Sequence, residues 1–168
     1  TQIQMHWMDS GQDASITALT EAPGNLSWSR DGHWLAFTMR VPAEDAPLAA
    51  MPKAPKGAEW AAPVKVIDRV IYRVDGGGYV DPGYTQVFVV SADGGAARQI
   101  TNGKHNFDGT PEWTADGKSL IVSANLSDDW EYEPIDSELY RVALSDGAMT
   151  RLTERKGPDR DPALSPDG

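Results

Sequence analysis

The sequence predicts an all-β fold, namely part of a β-propeller with about two full four-stranded blades and flanking strands of neighbouring blades. Asp-Gly occurs seven times in 168 residues, and this pair suits tight hairpin turns because Gly, and to a lesser degree Asp, tolerate positive φ. Most of these pairs flank short apolar runs such as 34–37 and 87–90. Such runs between turns are typical of an antiparallel meander, and no convincing amphipathic helix pattern interrupts them.

A repeat supports the propeller interpretation. Three segments share an apolar residue followed by Thr, then a polar loop, a short strand and Ser/Thr-x-Asp-Gly. They run from Leu19-Thr20 to Asp31-Gly32, from Ile100-Thr101 to Asp116-Gly117, and from Leu152-Thr153 to Asp167-Gly168. The intervals from the apolar residue to the Asp are 12, 16 and 15 positions. The last two Asp residues are 51 positions apart, which is close to one propeller blade with a modest insertion.

Matching positions in the repeat predict matching structural roles. We expect Asp31, Asp116 and Asp167 to accept backbone hydrogen bonds in tight turns. We expect Trp28 and Trp113 to pack between blades, because matched positions of a repeat usually belong to the core.

The repeat also predicts the domain organisation. Residues 1–20 are expected to end one blade and residues 24–101 to form a blade with an insertion at 42–84. Residues 110–153 form the following blade, and 161–168 begin the next one. Five prolines lie within 42–63, a composition that suits an extended excursion without its own core. We expect the whole to be a fragment of a larger protein.

Composition excludes several classes of function. The net charge of -10 argues against nucleic-acid binding. The lack of cysteine excludes disulfides, a cysteine nucleophile and thiolate metal sites. No apolar run approaches the roughly 20 residues that span a bilayer, so no membrane partner is predicted. The three histidines lack metal-ligand spacing, and no catalytic residue, metal or cofactor is predicted.

Three segments carry a resemblance to a known family. The Ser-Pro-Asp-Gly pattern is similar to the blade repeat of TolB-like propellers. Residues 67–101, which include Ile-Asp-Arg-Val-Ile-Tyr-Arg-Val-Asp-Gly-Gly-Gly-Tyr, resemble the propeller of acylaminoacyl-peptidase-like members of the prolyl oligopeptidase family. Residues 128–140, Asp-Asp-Trp-Glu-Tyr-Glu-Pro through Ser-Glu-Leu-Tyr, resemble the same group.

The resemblance implies a function and a partner. Members of this family join an N-terminal propeller to a C-terminal α/β-hydrolase domain with a Ser-Asp-His triad. This sequence lacks a Gly-x-Ser-x-Gly nucleophile elbow, so the chain alone is expected to be inactive. We expect it to gate access of oligopeptides to a serine peptidase of acylaminoacyl- or dipeptidyl-peptidase type. The alternative is a TolB-like propeller that serves as a protein–protein binding scaffold. The sequence leaves peptide specificity, compartment and blade number open. It also leaves the oligomeric state open, and a homo-oligomer is one of the alternatives.

An acidic stretch is the candidate site. Six carboxylates lie within residues 128–138, in a segment expected to connect the second and third strands of a blade. In the resembled family one propeller face frames the substrate chamber. We therefore expect Glu131 or Glu133 to attract a peptide's amino terminus, with Trp130 and Tyr132 lining the chamber. The alternative interpretation is a solvated acidic loop.

Overall fold

The computed structural model describes residues 1–43, 52–61 and 66–165, and these residues form strands and turns without an α-helix. The strands are β1 (Gln4–Trp7), β2 (Gln12–Ser15), β3 (Pro23–Trp28), β4 (Trp34–Pro42), β5 (Arg73–Val74), β6 (Gly78–Tyr79), β7 (Gly83–Ser91), β8 (Arg98–Gln99), β9 (Phe107–Trp113), β10 (Ser119–Ala124), β11 (Glu138–Ala143) and β12 (Met149–Arg151). The prediction of an all-β fold is confirmed.

Two four-stranded antiparallel sheets form the body of the molecule. One has the strand order β3-β4-β7-β8, and the other has the order β9-β10-β11-β12. β1 pairs with β2 in a separate two-stranded sheet. The chain leaves the first four-stranded sheet after β4 and returns at β7, and the intervening residues include the β5–β6 hairpin. This topology agrees with consecutive blades of a propeller, whereas the exact blade boundaries stay a prediction.

Side chains of the central strands point to alternating faces and bury two cores, one between the two four-stranded sheets and one between the first of these sheets and the residues that flank β1 and β2. Phe37 of β4 stacks on Phe88 of β7 with ring centroids 5.5 Å apart. β9 packs against β3 and β4, so residues of both sheets meet in one cluster. Fully burying one such side chain contributes about 1.5–3 kcal/mol, and this burial holds the two sheets together.

The turn aspartates have the predicted role at both described positions. Asp31 Oδ1 accepts hydrogen bonds from His33 N at 3.0 Å and from Ser29 Oγ at 2.6 Å. Asp116 Oδ1 accepts the equivalent bonds from Lys118 N at 3.1 Å and Thr114 Oγ1 at 2.7 Å. The hydroxyl bonds, followed by the backbone bonds, lower the pKa of both carboxyls. Asp167 lies outside the described residues.

The matching tryptophans differ from each other. Trp113 is 2% exposed, and its Nε1 donates to Ser27 O at 3.3 Å across the two sheets, as predicted. Trp28 is 48% exposed, so the prediction for it was wrong. β9 packs on β3 and brings Trp113 against that sheet. No further four-stranded sheet among the described residues covers Trp28, so this side chain stays exposed.

A polar contact occurs three times among the residues that the structure describes, and we call each copy a clasp. In the middle clasp, Gln86 Oε1 accepts a hydrogen bond from Thr101 Oγ1 at 2.8 Å. Thr101 Oγ1 accepts another from Val87 N at 2.9 Å. The same two bonds occur in the other two clasps, and the two partners are 15 residues apart in every copy. The other clasps are formed by Gln2 with Thr17 and by Glu138 with Thr153.

The clasps correct the start of the first repeat. The threonine equivalent to Thr101 and Thr153 is Thr17, so the repeat begins at Ile16-Thr17 and not at Leu19-Thr20. The intervals from the apolar residue to the turn Asp then become 15, 16 and 15 positions. Local sequence pattern missed this because the defining partner of each threonine is a side chain far upstream.

Candidate functional site

The connections at one end of the sheets meet in a groove. Phe107 at the start of β9 pairs with Ala124 at the end of β10, so the β8–β9 connection lies beside the β10–β11 connection. The end of β4 and the start of β7 contribute from the neighbouring sheet. The groove is lined by Ala43, Asp68, Arg69, Tyr84, Lys104, His105, Asp128, Trp130 and Glu131.

Asn125 organises the segment that carries the predicted site residues. Its Oδ1 accepts hydrogen bonds from Ser127 N at 3.1 Å and Ser127 Oγ at 2.8 Å. Its Nδ2 donates to Glu133 O at 2.7 Å. Tyr132 N donates to Asp129 O at 2.8 Å and closes a turn inside the segment. Asn favours such local side-chain to backbone bonds. The position of Asn125 directly after the apolar strand β10 was the sequence signal for this role.

Two of the four predicted site residues line the groove. The Trp130 ring meets the His105 ring edge-on, with centroids 6.4 Å apart. Glu131 is half-buried, and its Oε2 accepts a hydrogen bond from Val70 N at 3.2 Å. This bond connects the β10–β11 connection to the segment that precedes β5. The carboxylate of Glu131 is thereby held at the wall of the groove.

The other two predicted residues do not reach the groove. Tyr132 is 74% exposed, and Glu133 is also exposed. Neither belongs to the described residues that line the groove. The turn through residues 129–133 separates the two pairs, so the groove receives Trp130 and Glu131 while Tyr132 and Glu133 stay on the outer surface.

The groove also contains two cationic residues that sequence reasoning missed, Arg69 and Lys104. The guanidinium carbon of Arg69 lies 5.0 Å from the centroid of the Tyr84 ring, which is a cation–π distance. Lys104 and His105 come from the β8–β9 connection. Arg69 stands in the Ile-Asp-Arg-Val-Ile-Tyr run, but no spacing rule relates it to residues 104–131. Only the folded chain brings these groups together.

The residues that the structure describes form neither a metal-binding cluster nor a membrane-spanning helix. Within residues 1–43, 52–61 and 66–165, no three His, Asp or Glu side chains are grouped closely enough to hold a metal ion. The same residues include no helix of the length and apolar character needed to cross a bilayer.

A family match accompanies this fold and groove. Residues 70–168 match the family model described as the dipeptidyl peptidase IV (DPP IV) N-terminal region. The match covers more than half of the chain, and the chain belongs to this family. It confirms the resemblance to prolyl oligopeptidase-type propellers that residues 67–101 and 128–140 indicated.

A curated relative is consistent with the family. The chain is 30% identical over 112 residues to the uncharacterized peptidase YuxL of Bacillus subtilis (strain 168), an alignment that covers 49% of this chain and 17% of that protein. The chain therefore spans about one sixth of the length of this curated relative.

Solved structures establish the propeller fold. TolB from Acinetobacter baumannii superposes with a TM-score of 0.60 at 19% identity, covering 99% of this chain and 30% of that chain. An acylaminoacyl peptidase in complex with Z-Gly-Gly-Phe-chloromethyl ketone gives 0.59 at 16% identity, covering 92% and 21%. The uncomplexed acylaminoacyl peptidase of Pyrococcus horikoshii gives 0.57 at 15% identity, covering 92% and 22%. At these identities the likeness concerns the fold, which is part of a β-propeller.

Proposed function

We propose that this chain is the non-catalytic propeller portion of a serine peptidase that hydrolyses oligopeptides, of acylaminoacyl- or dipeptidyl-peptidase type. An α/β-hydrolase domain outside these residues supplies the nucleophile and the oxyanion site. The propeller selects substrates by covering that domain and admitting short or unfolded peptides. Membership of the dipeptidyl peptidase IV N-terminal family supports this assignment.

The single observation that carries the proposal is the groove beside Glu131. It combines an aromatic ring, Trp130, with the carboxylate of the half-buried residue Glu131 at the end of the sheets where the long connections gather. A carboxylate binds an ammonium group most strongly where water is partly excluded. The partner that completes this chamber is the hydrolase domain of the same protein, seated on this end of the propeller.

Glu131 has a geometry suited to a peptide's amino terminus. Val70 N–H engages its Oε2, and a carboxylate has lone pairs on both oxygens for further donors. The backbone bond orients the group, and the second oxygen accepts from the α-ammonium of the peptide. Trp130 packs against the first side chain of that peptide. Tyr132 and Glu133 lie outside the groove, so we assign them at most a peripheral contact with longer substrates.

Steady-state kinetics of the full-length protein test this proposal. Short peptides with an unblocked amino terminus and their acetylated counterparts are compared as substrates. We expect Glu131→Gln to lower kcat/KM for the unblocked peptides by about tenfold or more, because one charge-assisted hydrogen bond is lost. The amide oxygen of Gln still accepts from Val70 N–H, so the loop keeps its place.

Two further variants serve as controls. Asp129→Asn and Glu133→Gln each remove one exposed carboxylate of the same segment. Neither residue lines the groove. Both should retain kcat/KM within about twofold. Equal losses in all three variants would indicate a general effect of charge, and no loss in Glu131→Gln would overturn the assignment of that residue.

A further inference from the structure

The groove contains two cationic side chains without a carboxylate partner among the described residues. The ion pairs of those residues lie elsewhere, at His6–Asp13, Arg151–Glu138 and Arg155–Asp159. Arg69 and Lys104 both line the groove and take part in none of them. Arg69 and Lys104 are distinguished by their position, because both line the same concave groove.

The guanidinium of Arg69 lies over the ring of Tyr84. Its guanidinium carbon lies 5.0 Å from the centre of the Tyr84 ring. A guanidinium that rests on an aromatic face keeps its N–H edges available, and those edges match the two oxygens of a carboxylate. Tyr84 is itself fixed, because it pairs with Val41 in the sheet and the next residue, Thr85, donates its N–H to Asn106 Oδ1 at 2.8 Å.

Lys104 stands on a backbone that the middle clasp holds. Gln86 is 1% exposed, and its Nε2 donates to His105 O at 3.0 Å and contacts Gly103 O at 3.4 Å. The carbonyls on both sides of Lys104 are thus tied to one buried amide. The lysine side chain is flexible, but its origin beside the groove is fixed by the fold.

The remaining lining residues restrict the kind of anion. Asp68, Asp128 and Glu131 line the same groove and disfavour a multiply charged group such as a phosphate. A peptide carboxylate has a single charge and comes with an ammonium terminus that the acidic residues accept. A groove with both signs of charge and aromatic walls fits a peptide that carries both groups.

We infer that Arg69 and Lys104 form a carboxylate subsite that gives the protein a preference for peptides with a carboxylate close to the amino terminus. This inference rests on the proposed function, and it names the substrate class of that groove. The carboxylate has two sources, the side chain of an acidic second residue or the terminal carboxylate of a very short peptide. Arg69 provides the paired contact, and Lys104 adds a single charged donor.

Peptide pairs and matched variants of the full-length protein test the inference. Carboxyl-amidated peptides with glutamate or glutamine as the second residue isolate the side-chain source. Dipeptides with a free or an amidated carboxyl end isolate the terminal source. In at least one pair, the wild-type protein should favour the carboxylate member by about tenfold in kcat/KM. Arg69→Gln should abolish that preference, and Lys104→Gln should reduce it.

Arg73→Gln is the matched control, because Arg73 lies on β5 and does not line the groove. It should keep the preference intact. Equal kcat/KM within both wild-type pairs would overturn the inference, as would identical behaviour of Arg69→Gln and Arg73→Gln. If the protein hydrolyses the neutral peptides but shows no such preference, the inference fails and the proposed function stands.

If no peptide is hydrolysed, that result counts against the proposed function. Binding measured by calorimetry then still tests the carboxylate subsite. The same amidated and free peptides are titrated into the full-length protein. Tighter binding of a carboxylate member that Arg69→Gln removes supports the subsite independently of catalysis. Equal binding within both pairs contradicts it.

Discussion

Gln86 accepts a hydrogen bond from Thr101 at 2.8 Å while its amide nitrogen donates to His105 O at 3.0 Å. One buried side chain thus links the end of a four-stranded sheet to the connection that lines the groove. The contact to threonine recurs in two more clasps, whereas the contact to a groove residue belongs to this copy. The repeat that stabilises the fold here also positions the candidate site.

Loss of the middle clasp should destabilise the fold. Thr101→Val keeps the shape of the side chain but leaves Val87 N–H and Gln86 without their hydroxyl partner. We expect a loss of about 1–3 kcal/mol in the free energy of unfolding, because buried polar groups become unsatisfied. Urea unfolding measures it. Thr150→Val on the exposed edge strand β12 is the control and should change stability by less than about 0.5 kcal/mol.

Acid should weaken the ion pair at the end of the chain. The Arg155 guanidinium, helped by further hydrogen bonds, lowers the pKa of Asp159 below its ordinary value of 3.8. A carboxyl with a lowered folded-state pKa contributes stability above its unfolded pKa and loses it as pH falls through the folded one. We expect Asp159→Asn to be less stable than wild type near pH 7. The difference in stability should shrink as the pH falls below 3.8 and through the lowered pKa of Asp159.

Urea unfolding at a series of pH values gives this comparison. Asp129→Asn, which removes a carboxylate without an ion pair among the described residues, serves as reference. A constant difference between Asp159→Asn and wild type from neutral to strongly acidic pH would refute the role assigned to the ion pair.

Gly83 should tolerate substitution much less than another glycine with positive φ. It has φ of 138°, and an added Cβ would lie 2.5 Å from Val41 O. Gly117 has φ of 65° and open space around it, so alanine there costs about 1 kcal/mol of strain. Gly83→Ala should exceed that cost by about 2 kcal/mol or more. Thermal unfolding of both variants decides this, and equal losses would show that β7 shifts to absorb the contact.

The fold was predictable because its signals are local. Asp-Gly turns and apolar runs act over a few residues, so Asp31 and Asp116 have the roles expected of them. The start of the first repeat was not predictable in this way. Ile16-Thr17 is identified by a contact with Gln2 that lies 15 residues upstream, and Leu19-Thr20 offers the same local letters.

The groove was only half predictable for the same physical reason. The acidic stretch marked Trp130 and Glu131, but charge alone does not separate them from Tyr132 and Glu133, which the turn at 129–133 keeps outside. Arg69 joins the groove because its segment returns to the sheet end and donates Val70 N–H to Glu131. Such a return depends on tertiary packing, and no spacing in the sequence encodes it.

Labelling of the full-length protein with an active-site-directed fluorophosphonate tests the central proposal most directly. We expect one serine to react, and peptide mapping to place it outside the 168 residues of this sequence. Mutation of that serine should abolish hydrolysis of unblocked peptides. Absence of labelling together with absence of hydrolysis, or a labelled serine within the propeller residues, would contradict the proposal.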